Sequence, residues 1–159
     1  MTMRRHDKEI SSREEIDAII RAADVCRLGF AVDNEPYVVP VSFGYDGGAL
    51  YIHTAGRGRK IDCIEHNNRV CFELEANVEI HADDDDACKW TFEFESVIGY
   101  GTVSELTTIK EKTQGLNEIM KHYSGREWEI AAKDTAATRV WRLDIDSVTG
   151  KRSQEKPIG

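Results

Sequence analysis

No apolar run in the 159 residues approaches the ~20 that a helix needs to cross a bilayer. A membrane span is therefore not expected. The opening residues, Met1-Thr2-Met3-Arg4-Arg5-His6-Asp7-Lys8-Glu9, are basic at first but have no apolar stretch behind them. They do not read as a signal peptide, and the expected location is cytoplasmic. Paired cysteines are also missing. Cys26, Cys63, Cys71 and Cys88 form no Cys-x-x-Cys, so neither a disulfide framework nor a structural zinc site is expected. Nor is there an excess of positive charge. Lys and Arg number 21 against 29 Asp and Glu, a net charge of −8, which excludes a chain-wide nucleic-acid footprint. No Pro- or Ser-rich linker and no repeat with a period of 20–50 residues divides the chain. One domain over residues 1–159 is expected, with a polar tail from about residue 150.

What is present suits a packed core, since 40% of residues are hydrophobic and 31% charged. Ser12 and Glu15 have capping-box spacing, and Ile16, Ile19, Ile20 and Ala23 follow at helical intervals. Residues 26–32 and 37–43 read as strands around a turn at 33–36, and 49–53 returns after the Asp46-Gly47-Gly48 turn. A short helix over 61–66 ends at Asn67-Asn68. Two long strands then alternate apolar and polar residues, the first through Val70, Phe72 and Leu74, the second through Trp90, Phe92 and Phe94. The four aspartates at 83–86 mark the hairpin tip between them. Thr108 and Glu111 open a helix with Ile109, Leu116, Ile119, Met120 and Tyr123 on its face, and Gly125 closes it. A last strand covers 141–145. Six strands and three helices favour a closed or half-closed antiparallel barrel. Pro40 predicts an edge or a bulge, and Gly99 with Gly101 predicts a bulge or the close approach of another body.

The strongest chemical feature is the segment Thr54-Ala55-Gly56-Arg57-Gly58-Arg59-Lys60. Two glycines let backbone approach a ligand, three cations stand within four residues, and a helix starts there. A phosphate group fits this pattern, and so does a solvated basic loop. The spacing matches neither Gly-x-x-x-x-Gly-Lys-Ser/Thr nor Gly-x-Gly-x-x-Gly, so nucleoside triphosphate hydrolysis is not expected. His53 ends the preceding strand. It reads as a structural histidine, a hydrogen-bond partner of a cofactor, a proton donor or a haem ligand. His-Glu-x-x-His, the calcium-loop rhythm and Gly-x-Ser-x-Gly are all absent. No metal site and no nucleophilic hydrolysis are expected.

Taken in order, residues 36–45 (PYVVPVSFGY), 50–55 (LYIHTA), 58–62 (GRKID), 67–72 (NNRVCF), 96–101 (SVIGYG) and 149–152 (TGKR) resemble the flavin-binding split-barrel superfamily of pyridoxamine 5′-phosphate oxidase. Within it they are most similar to the nitroimidazole-resistance (Nim-type) group. The resemblance implies a mainly β fold with flanking helices, a six-stranded antiparallel Greek-key split barrel. It implies a homodimer with FMN at the interface; FAD, a deazaflavin or haem are the alternative occupants. Carried over by position, Arg59 and Lys60 hold the phosphate. Val39, Pro40, Val41 and Ser42 line the ring, largely through backbone. His53 and Thr54 sit beside the ring or phosphate arm, with His53 the candidate catalytic residue. Ser96 and Val97 touch the flavin, and Lys151 and Arg152 reach a ligand near the dimer interface. The arginine- and tryptophan-containing C-terminal motif of true pyridoxamine phosphate oxidases is absent, so vitamin B6 oxidation is not implied. The implied function is an FMN-dependent oxidoreductase acting on a small molecule such as a nitroaromatic. The alternatives are a non-catalytic flavin- or haem-binding module and a cofactor-free structural domain.

Overall fold

Ser12 starts the first helix by accepting the Glu15 backbone N–H at 3.4 Å in the computed structural model, which describes residues 6–153. This helix, α1 (Arg13–Ala22), follows a two-residue strand, β1 (Glu9–Ile10), and buries Ile16, Ile19 and Ile20. β2 (Cys26–Val32) and β3 (Glu35–Val41) form a hairpin. Its turn is only two residues, Asp33 and Asn34, with φ of 51° and 64°. Left-handed geometry at both positions is what a tight hairpin needs. Glu35 and Pro36, expected in the turn, therefore belong to the strand.

β4 (Gly44–Tyr45) and β5 (Ala49–Thr54) follow, joined by a turn in which the Asp46 carboxylate accepts the N–H groups of Gly48 and Ala49, both at 2.8 Å. Next come α2 (Arg59–His66), β6 (Arg69–His81), β7 (Thr91–Leu106), α3 (Ile109–Ser124), α4 (Ala132–Ala137) and β8 (Arg139–Arg152). The capping box of α3 forms as expected, and Gly125 caps it at φ 72°. Its buried positions are Gly115, Asn117 and Ile119, while Ile109 and Tyr123 stay exposed.

The sheet order is β3-β2-β6-β7-β8-β5-β4, with β1 on β8. Six strands are long, as expected, and the two-residue strands raise the total among the described residues to eight. The path runs from edge β3 to edge β4 without closing, the split form of a barrel. Pro40 lies on edge β3, where its missing N–H costs no ladder bond. Inside sit Leu28, Phe43, Leu50, Phe72, Leu74, Val97 and Leu143, all fully buried.

Gly99 and Gly101 have two causes. A Cβ at Gly99 would lie 2.2 Å from the Phe72 ring, and one at Gly101 would lie 2.3 Å from the Asp144 carbonyl oxygen. The β7–β8 register also shifts between Tyr100 and Gly101. The body that approaches these glycines is the protein's own interior. β8 runs to Arg152, so the polar residues at 150–152 are strand rather than tail, Ser153 is held to Phe94, and the expected tail from residue 154 lies beyond the described residues.

Candidate functional site

The basic segment folds into a helix start with no side-chain cap. Gly58 is the N-cap of α2 at φ 139°, a conformation that favours glycine. Its carbonyl accepts the N–H groups of Ile61 and Asp62 at 2.8 and 3.1 Å. With no side-chain cap at that end, the first-turn amides not taken by Gly58 and the positive end of the helix dipole are left for a ligand. Arg57 is exposed. The Arg59 guanidinium lies over the Tyr37 ring at 4.6 Å and 3.8 Å from the Glu35 carboxylate, which ties the loop to edge strand β3. Lys60 is half-buried, and burial pulls its ammonium pKa below the usual lysine range. Among the described residues no carboxylate pairs with it.

His53 neighbours Lys60. Its pKa is held below the usual histidine value, first by burial and then by the Lys60 charge, which favours the neutral imidazole near pH 7. Thr54 turns the other way, into the core, where its hydroxyl accepts the Trp141 indole N–H at 2.9 Å. Behind it Arg139 stacks over Trp141 at 4.6 Å and is gripped by Glu105 at 2.8 and 2.6 Å and by Glu65 at 3.0 Å.

Three of the four residues expected to line a ring, Val39, Pro40 and Val41, end β3, and Ser42 follows just outside it. Pro40 and Ser42 are exposed, Val39 is half-buried, and Val41 is buried in the core. Only the backbone of Val41 is available to a ligand. Val97 is likewise buried in the core, and Ser96 is 9% exposed.

The register shows which of these residues one chain brings together. His53, Thr54, Arg59 and Lys60 form one corner, and Arg59 links it to the start of β3. Val41, Cys26, Leu74 and Val97 form a lateral row across β3, β2, β6 and β7. Val97 is thus three strand spacings, roughly 14 Å, from Val41. Ser96 is opposite Lys151 on β8, and Thr54 is opposite Arg139. Those two partners are twelve residues apart, on the order of 40 Å along the strand. Ser96 and Val97 are therefore remote from the basic corner of their own chain. Arg152 is engaged elsewhere, bridging Glu15 of α1 at 3.1 Å and Glu95 of β7 at 3.2 Å.

Two features escaped the sequence reading. One is a cavity of about 470 Å³ between α3 and residues 128–138, walled by Leu116, Ile119, Met120, Trp128 and Ile130 and shared with His53. Leu116, Ile119 and Met120 were visible as a helix face, and Trp128 and Ile130, apolar residues in a polar stretch, were the signal of the wall opposite. The other is Glu79, His81 and Glu93 on the β6–β7 arm, whose ligand atoms lie within 4.8 Å of one another. His81 is 3.2 Å from Glu93 there. The aspartate tip folds on itself, Asp83 accepting the N–H groups of Asp85 and Asp86 at 3.0 and 2.8 Å.

The family model described as pyridoxamine 5′-phosphate oxidase matches residues 12–152. The chain belongs to that family. A candidate 5-nitroimidazole antibiotic resistance protein of Bacteroides thetaiotaomicron is 30% identical, with a TM-score of 0.80 over 91% of this chain and 86% of that one. An FAD-binding protein of Mesorhizobium loti is 27% identical, with a TM-score of 0.67 over 92% and 98% of the two chains. The FAD- and haem-binding protein of Mycobacterium smegmatis shares the fold at 20% identity, with a TM-score of 0.79 over 96% and 76%. An uncharacterized protein of Rhizobium meliloti is 34% identical over 65 residues, 41% of this chain and 42% of that protein. The aligned part is therefore under half of either. Among the described residues no helix is long and apolar enough to cross a membrane.

Proposed function

We propose that this member of the family binds a flavin, FMN above the alternatives, and works as a homodimeric oxidoreductase on a small acceptor such as a nitroaromatic. The observation that carries the reading is Lys60, a half-buried ammonium with no carboxylate partner among the described residues, beside an uncapped helix start. Burial without a counter-charge is unfavourable, and a phosphate dianion relieves it. Arg59 adds a planar donor fork and the first-turn amides of α2 add N–H donors, so the residues present fit a phosphate-terminated cofactor. A bound flavin supplies the hydride and electron transfer that these side chains lack.

The chain's own groups then divide the remaining work. Lys60 and Arg59 grip the phosphate. Edge β3 and the residue after it offer the backbone of Val39, Pro40, Val41 and Ser42 along one rim, on the side where no neighbouring strand competes for it. His53, neutral near pH 7, holds or passes a proton at a ring nitrogen. Ser96 joins such a site only from a second copy, which is the geometric argument for a dimer, while Val97 is sealed in the core of its own chain and supports the site from behind. Four free cysteines, two of them buried, go with a reducing cytoplasm.

A non-catalytic flavin or haem module is the second reading. It draws on the same imidazole, because a neutral, partly exposed histidine is the form that ligates iron. The deciding experiment is an absorbance spectrum of the purified protein with mass analysis of the released ligand, followed by NAD(P)H oxidation with and without a nitroaromatic. Yellow protein releasing FMN and turning over is the expected result. Yellow but inert protein, or a haem band lost in His53→Ala, favours the module. Colourless protein that ignores added FMN overturns both.

A further inference from the structure

We propose that the cavity between α3 and α4 is a binding pocket for a second, small ligand, an organic cation with a flat apolar body. At about 470 Å³ it falls within the range of small-molecule sites. Its walls are apolar, through Leu116, Ile119, Met120 and Ile130. The charged side chains that line it are both carboxylates, Glu129 and Asp134. Among the described residues neither carboxylate has an ion-pair or hydrogen-bond partner. The imidazole of His53 also faces the cavity, and burial with the Lys60 charge favours its neutral form. At neutral pH the lining therefore carries two negative charges and no positive one.

This sign separates the cavity from the basic corner on the far side of His53. Two carboxylates repel a phosphate, so the cavity is not an extension of the anion site. An apolar slot with an anionic rim selects a molecule that is greasy at one end and positively charged at the other.

The pocket wall is also held in place. The side-chain amide of Asn117, 9% exposed, donates to the Trp128 carbonyl at 3.2 Å and accepts the Trp128 backbone N–H at 2.7 Å. The Trp128 indole N–H donates to the Ser124 hydroxyl at 2.8 Å. The Arg126 guanidinium covers the Trp128 ring at 3.6 Å, is outside the cavity lining, and is the cation that this ring already serves. A wall fixed at backbone and side chain loses little freedom when a ligand enters, which favours binding.

The binding rests on the cavity and its lining alone and not on the proposed function. The test is calorimetric titration of the purified full chain, as isolated and after FMN addition, with benzylamine, benzyl alcohol and benzoate. These probes share a ring and differ in charge. Benzylamine is expected to bind at least 10-fold tighter than the alcohol, with benzoate weakest. The double variant Glu129→Gln with Asp134→Asn should erase that preference, both side chains being exposed and free to change without unfolding the protein. Met120→Trp, which fills the cavity, should weaken all three probes. Equal binding of the three probes, a preference for benzoate, or a preference unchanged in the double variant overturns the proposal. If FMN does not load, the flavin reading fails while the titration still reports on the pocket. If FMN loads and benzylamine shows no preference, this inference alone fails.

Discussion

The Trp141 indole N–H and the Thr54 hydroxyl meet at 2.9 Å with both side chains buried, 3% and 7% exposed. Thr54 thereby fastens β5 to β8 from inside, whatever its backbone offers a ligand. Thr54→Val keeps the shape but leaves the indole N–H unpaired, a loss of about 1–3 kcal/mol. Urea unfolding should show that loss, and Thr54→Ser should recover most of it. A valine variant as stable as the parent would show that the bond contributes nothing.

Lys60 sets two quantities in opposition. Its half-buried ammonium, with no carboxylate partner among the described residues, disfavours the ligand-free fold, so Lys60→Met should raise the thermal midpoint of flavin-free protein. The same change removes a phosphate contact. Together with Arg59→Ala it deletes two charge-assisted contacts of about 1.5–3 kcal/mol each, at least about 100-fold in affinity. Fluorescence titration with FMN reads this directly. Unchanged affinity would move the phosphate elsewhere.

The depressed His53 pKa gives a pH signature of definite sign. The native state favours the neutral ring, so the unfolded chain binds the proton first as pH falls. The contribution is complete above the ordinary value of 6.5 and disappears as pH drops through the lower folded value. Below pH 6.5 the parent should therefore lose stability relative to His53→Gln. Because Lys60 is the second cause of the shift, Lys60→Met should move the His53 NMR titration midpoint upward. A midpoint that stays put would place Lys60 out of electrostatic reach.

Arg152 is a structural brace, held by Glu15 and Glu95 across the α1–β7 junction. Arg152→Met should lower unfolding stability by about 1 kcal/mol, near the upper end for partly exposed pairs, and leave FMN affinity within twofold. A large affinity loss at unchanged stability would return Arg152 to the ligand.

Much of the frame was readable because alternation along β6 and the caps at Ser12 and Thr108 are local signals, whereas the expected apolar face of Trp90, Phe92 and Phe94 is not core, since Trp90 is 54% and Phe92 46% exposed and Trp90 precedes β7. The basic corner was readable for the same reason, since 54–60 is one contiguous segment. The far half of β8 was not. Residues 146–152 are mostly polar, and their strand state comes from pairing with β7 and β1. α4 escaped because it is six residues long and has no side-chain cap. The cavity escaped because β5, α3 and α4 meet only in three dimensions. The opposed charge of its rim is visible only once Glu129 and Asp134 are seen on one wall with His53.

β8 pairs with β1, β5 and β7, so three separated parts of the polypeptide wait on a single late segment. During synthesis, residues up to 138 emerge with the facing sides of β5 and β7 both open, a state prone to sticking to other chains. The ribosome must release Arg139–Arg152 before those halves can zip together. A nonsense codon near position 138 would therefore yield an insoluble fragment rather than a smaller working barrel.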